Sequence, residues 1–144
     1  MGTFLLTVDL ELAYGWIHSR TPPSPSYFDR LADMCDGAFA RLLDLLEARR
    51  IPSTIAVVGA LLADGASPSW PPFDGMFARF ERAYPRARYA AVYDGRRLVA
   101  AARARRSGHE IGGHSFFHVA YDHPAFGEAR VREDLARLRR AADG

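Results

Sequence analysis

Short apolar runs alternate with helix-spaced apolar residues along this chain. Thr3-Phe4-Leu5-Leu6-Thr7-Val8 is apolar almost throughout and stops at Asp9, which predicts a strand buried on both faces of a parallel sheet. Residues 18–27 hold Pro22, Pro23 and Pro25 and read as a loop. Ser26, with Asp29 three places on, resembles a capping box. Beyond it Phe28, Leu31, Cys35, Ala38, Phe39, Leu42, Leu45 and Leu46 recur at helical spacing, predicting an amphipathic helix over 28–49. Ser53-Thr54-Ile55-Ala56-Val57-Val58 is a β-branched run closed by Gly59 and predicts a second strand. Residues 59–75, rich in glycine and proline, read as a long connection; helices are expected near 73–84 and 95–106. His109-Glu110-Ile111-Gly112 is a short third strand, and 127–141 a final arginine-rich helix. Strands separated by helices indicate one α/β domain with parallel strands.

Composition narrows this picture. At 144 residues and 49% hydrophobic, the chain suits a single domain with a real core. The net charge is +2, and all 19 basic residues are arginine. Nine of these lie between Arg79 and Arg106 without regular aromatic interleaving, so they read as a solvated helical face rather than a nucleic-acid surface. Cys35 is the sole cysteine, which excludes an internal disulfide and a thiolate zinc site. It reads as a small core residue. No signal-peptide pattern, myristoylation pattern or membrane-length apolar run is present, so a soluble, cytoplasmic protein is expected.

The chemistry concentrates in Ser107-Gly108-His109-Glu110-Ile111-Gly112-Gly113-His114-Ser115-Phe116-Phe117-His118. On a helical turn, His114 and His118 would project from one face about 5–6 Å apart at Cβ. Two imidazoles so placed can share a metal ion, and a carboxylate completes three protein ligands with a position left for water. Asp9-Leu10-Glu11 offers that carboxylate. Residues i and i+2 of a strand face the same way, so Asp9 and Glu11 would point together. Both candidate groups follow predicted strands, at the carboxyl end where parallel α/β sheets bind ligands. Among the other histidines, His109 is expected to pack at a strand start, and His18 and His123 fall in loops.

These motifs resemble the polysaccharide deacetylase family (carbohydrate esterase family 4, NodB homology domain). His114-Ser115-Phe116-Phe117-His118 matches the family's H-S/T-x-x-H motif, and Gly108-His109-Glu110-Ile111-Gly112 is typical of the approach to it. Pro52-Ser53-Thr54, the apolar run and Gly59 are similar to its second-strand signature. Thr7-Val8-Asp9-Leu10-Glu11 departs from the usual T-F-D-D-G and resembles a D-x-D/E variant. The resemblance implies Asp9 as catalytic base, with Glu11, His114 and His118 holding a divalent metal, most readily Zn2+. Ser115 would brace the histidine turn, while Tyr14, Trp16 and Trp70 offer rings to a sugar. The implied activity is hydrolysis of N-acetyl groups on a sugar or polysaccharide, and the implied fold is a distorted (β/α) barrel.

The family's later motifs, an R-x-x-P segment and an L-x-H whose histidine serves as general acid, do not occur before Gly144. The expectation is therefore a C-terminally incomplete catalytic domain over 1–144, with about three to four strands of the barrel. His123 is a weak stand-in for the missing acid. Three alternatives stay open: hydrolysis of a small amide or ureide at the same site, a catalytically silent metal- or glycan-binding module, and a non-heme iron centre. Iron oxygenases usually place the acid beside the first histidine, whereas Glu11 lies far upstream. Oligomeric state is open.

Overall fold

The computed structural model describes residues 4–19, 21–63, 74–122 and 126–143. Three parallel strands form one sheet in the order β1 (Thr7–Leu10), β2 (Thr54–Val57), β3 (Glu110–Gly113). Five α-helices accompany them: α1 (Pro25–Ala48), α2 (Asp74–Ala83), α3 (Ala90–Tyr93), α4 (Arg96–Arg103) and α5 (Glu128–Asp143). The architecture is mixed α/β with a parallel sheet, as the alternation of periods predicts. Three strands do not close a barrel.

Register does the most for the site. Leu10, Val57 and Gly113 lie abreast, so all three strands end at one level. The backbone carries the pairing one residue further, Val58 N–H donating to Leu10 carbonyl and His114 N–H to Val57 carbonyl. Glu11 and His114 therefore leave the sheet at the same level, on strands separated by β2 and so two spacings of about 4.8 Å apart. The chain then turns into a 3-10 segment after β1 (Leu12–Trp16) and another after β2 (Gly59–Leu61).

β1 begins at Thr7 rather than Thr3 and runs through Asp9; Thr7 and Asp9 are exposed while Leu10 is buried. With a neighbour on only one side among the described residues, this strand need not be apolar on both faces, and Phe4 and Leu5 are solvent-exposed. At the start of α1 the cap is Ser24, not Ser26. Its hydroxyl accepts from Tyr27 N–H, with Pro25 in the first turn, where its missing N–H costs nothing.

The inward face of α1 carries Phe28, Cys35, Phe39, Leu43 and Leu46. Leu45 and Ala38, expected inside, face solvent, and Leu43 takes the interior place. Phe28 packs with Phe80, Tyr84 and Tyr89 in an aromatic cluster. Burial raises the Cys35 thiol above its ordinary value, in keeping with a packing role. The arginines between 79 and 106 are more engaged than a solvated face. Arg88, Arg97 and Arg105 pair with Asp29, Asp36 and Asp44 along α1, and Arg105 also reaches Glu47. Arg86 bridges Glu81 and the Tyr14 hydroxyl. No helix among the described residues is long and apolar enough to cross a membrane.

Candidate metal centre

Glu11, His114 and His118 converge. One carboxylate oxygen, Glu11 Oε1, lies 3.1 Å from His114 Nε2 and 2.9 Å from His118 Nε2. The ligating atoms of the three residues all fall within 4.8 Å of one another, and the two imidazole centroids are 5.2 Å apart. The three side chains remain 23–35% exposed, so solvent reaches the group. Two nitrogens and one carboxylate oxygen, clustered and reachable by water, fit the donor set of a catalytic zinc-type site.

The histidine turn is not helical. Residues 114–118 form an irregular loop, with Ser115 and His118 at φ +53 and +56, in the left-handed region. The i,i+4 spacing works here because the loop folds back, not because of a helical pitch. Leu12, immediately after Glu11, also has positive φ, at +47. Each such non-glycine residue costs on the order of 1 kcal/mol or more. Both ligand-bearing loops therefore carry strain that surrounding bonds must offset.

Those bonds are identifiable. Ser115 Oγ accepts from Val119 N–H at 3.1 Å, as expected of a residue bracing the turn. Gly59 N–H and Ala60 N–H, from the loop after β2, donate to the carbonyls of Ser115 and Phe116. A Cβ on Gly59 would stand 2.7 Å from the Phe116 ring and 2.9 Å from Leu138, so only glycine lets the loops approach this closely.

The strongest support was missed by sequence reasoning. Asp134, on α5, is fully buried. Its carboxylate accepts from Phe116 N–H at 2.8 Å, Phe117 N–H at 3.2 Å and the Tyr121 hydroxyl at 2.7 Å. The segment between the two histidines is thus held by a charge. Burial and then the bond to Asp134 raise the Tyr121 phenol above its ordinary value, so it stays a donor. The only sequence signal was an acid on the apolar side of an otherwise arginine-rich helix.

Glu11 has its own support. Gly15 lies under its side chain, where a Cβ would meet Glu11 Oε2 at 2.4 Å. Asp9 is exposed on β1 and shares a shallow cleft with Glu11, Leu12 and Trp16. It stands beside the three-residue group rather than within it. On the other side of the histidines opens a larger cleft of about 830 Å³, bordered by His18, Met76, His114, His118, Val119 and Phe126 among others. The His18 ring is 6.1 Å from that of His118, a proximity the sequence did not suggest.

The aromatic candidates separate. Tyr14 is fully buried, its hydroxyl bonded to Arg86 and its ring edge-on to Tyr93, so it has no face to offer a sugar. Trp16 is half-buried, in edge contact with Tyr27, and borders the Asp9–Glu11 cleft. Trp70 and His123 lie outside the described residues. His109 packs at the start of β3 as expected, bonded to Ser53 and Ser107. His118 Nδ1 is buried without a hydrogen-bond partner among the described residues.

Comparison of the chain with protein-family models, with curated proteins and with solved structures returns no match.

Proposed function

We propose that this chain is a metal-dependent amide hydrolase of the polysaccharide deacetylase type, removing N-acetyl groups from a sugar or polysaccharide. One observation carries the reading: a carboxylate oxygen within 3.1 Å of two imidazole nitrogens, contributed from over a hundred residues away. The parallel sheet, with the site at the carboxyl ends of its strands, agrees with a portion of a (β/α) barrel.

Glu11, His114 and His118 would hold a zinc-type ion, which when bound would supply Lewis acidity to a substrate carbonyl and acidify water. Asp9, two residues before Glu11 and beside it in the same cleft, accepts the proton of the attacking water. Glu11 is occupied by the two histidines and is a poor choice for that task. Ser115 and Asp134 keep the imidazoles aimed. The amide C–N bond breaks, giving acetate and a free amine on the sugar.

Acetate release from N-acetylglucosamine oligomers tests this. Turnover should stop with a chelator and return with zinc. His114→Ala should lose bound metal, whereas Asp9→Asn should keep metal and lose turnover. Loss of both in Asp9→Asn would exchange the roles of Asp9 and Glu11. Turnover of small amides or ureides but not oligosaccharides would redirect the substrate. Glycan binding without acetate would indicate a silent module, and Fe(II)-dependent oxygen consumption would indicate an iron centre.

A further inference from the structure

We infer that the cleft beside His114 and His118 receives the acyl portion of the substrate and prefers a chain longer than acetyl. The inference rests on the amide-hydrolase part of the proposed function and puts a longer N-acyl group in place of N-acetyl.

The cleft, about 830 Å³, opens from the metal-ligand pair, with both histidines and Ser115 at one end. Its other walls are His18, Met76 on α2, Val119, Ala120, Tyr121 and Phe126, so His18 and Tyr121 are the polar side chains there besides the histidine pair and Ser115. No acidic, arginine or carboxamide side chain borders it among the described residues, and the chain contains no asparagine or glutamine at all. The Tyr121 hydroxyl, also in the wall, is already donated to Asp134. Val119 N–H already uses the Ser115 oxygen as acceptor. A sugar ring entering here would bury hydroxyls with few groups to receive them, at a cost of about 1–3 kcal/mol for each unpaired one. A hydrocarbon chain carries no such cost and gains about 0.8 kcal/mol for each methylene buried. The polar, amine-bearing part of the substrate therefore stays outside, while the acyl chain lies along Met76, Val119 and Phe126.

The reaction balances as ordinary amide hydrolysis. Water adds to the acyl carbon, the C–N bond breaks, the amine leaves carrying a proton, and the released carboxylate has the full length of the acyl chain.

The test compares acetyl, butanoyl, hexanoyl and octanoyl glucosamine on the zinc-loaded full chain, measuring amine release. The corresponding alkyl hydroxamates are titrated by calorimetry alongside. Each buried methylene should raise kcat/KM, and the hydroxamate association constant, about fourfold, so butanoyl exceeds acetyl about fifteenfold. Met76→Asp should flatten both series. If acetyl is turned over best and hydroxamate affinity does not grow with length, the acyl-chain inference falls while the amide-hydrolase reading stands. If hydroxamates tighten with length but no amide is cleaved, the cleft assignment stands and the hydrolase reading falls. Absence of both effects overturns both.

Discussion

Asp134→Asn asks how much of the candidate metal centre depends on a buried carboxylate that touches none of Glu11, His114 and His118 directly. In the wild-type chain the Asp134 carboxylate accepts three hydrogen bonds, two of them from the backbone between His114 and His118. Asparagine keeps one acceptor oxygen and puts an NH2 where the other was. Placed at Oδ1, which receives only Phe117 N–H, that NH2 costs one bond, and the two bonds to Oδ2 from Phe116 N–H and the Tyr121 hydroxyl lose their charge assistance. Charge-assisted bonds are worth about 1.5–3 kcal/mol each and neutral ones about 1, so replacing three of the first kind by two of the second loses about 2.5–7 kcal/mol. Domains have about 5–15 kcal/mol to lose, so the variant's fold is checked by its thermal unfolding before metal is added. The turn, with Ser115 and His118 in strained backbone conformations, should relax and let the imidazoles drift. Loss of support around a ligand typically lowers metal affinity 10–100-fold. Zinc competition against a chromophoric chelator measures the affinity, and thermal unfolding of the metal-free chain measures the stability. Tyr121→Phe removes only one of the three bonds and should show a smaller loss on both scales. If folded Asp134→Asn binds zinc as tightly as wild type, the buried carboxylate does not position the histidines and this account of the turn is wrong.

Gly15→Ala should act on Glu11 alone: the new methyl would sit 2.4 Å from Glu11 Oε2, and the carboxylate end is the part free to move. Zinc affinity should fall at least about tenfold while stability changes by less than about 1 kcal/mol, because alanine suits a helical turn; unchanged affinity counts against Glu11 as a ligand. Leu43→Ala, at a position with no exposed surface, should cost about 2–5 kcal/mol in urea unfolding, whereas Leu45→Ala on the opposite face should cost little. The raised Tyr121 phenol predicts an alkaline limb. Its protonated form favours the fold, so that contribution is complete below the ordinary value of 10.0 and is lost as pH rises through the higher folded value. Unfolding followed from pH 8 to 12 should show a shallower alkaline decline in Tyr121→Phe, and an identical decline would refute the assignment.

Much of the fold was legible in the sequence because period is a local property. The helix-spaced residues from Phe28 to Leu46, and the β-branched run ending at Val58, needed only their neighbours to be read, and their elements lie within a few residues of expectation. Errors came where a distant partner decides. The segment Thr3–Val8 looks like a doubly buried strand, yet β1 has a single neighbour among the described residues and leaves Thr7 and Asp9 exposed. Tyr14 looks available because it follows a strand, but Arg86, 72 positions on, takes its hydroxyl. Arginines that read as a solvated stripe turn out to be matched to acids spaced along α1.

The candidate site divides the same way. Residue type and spacing were enough to pick out Glu11, His114 and His118, because few side chains can ligate a metal and these cluster at strand ends. What spacing could not supply was the reason they meet. That reason is the shared level of Leu10, Val57 and Gly113 across the sheet, together with a left-handed loop in place of the expected helical turn. Nor could it identify Asp134, whose role exists only because α5 folds back over the histidine loop. Local preferences are written in consecutive residues, whereas a buried charge bonded to backbone N–H groups 17 and 18 positions away is set by packing alone.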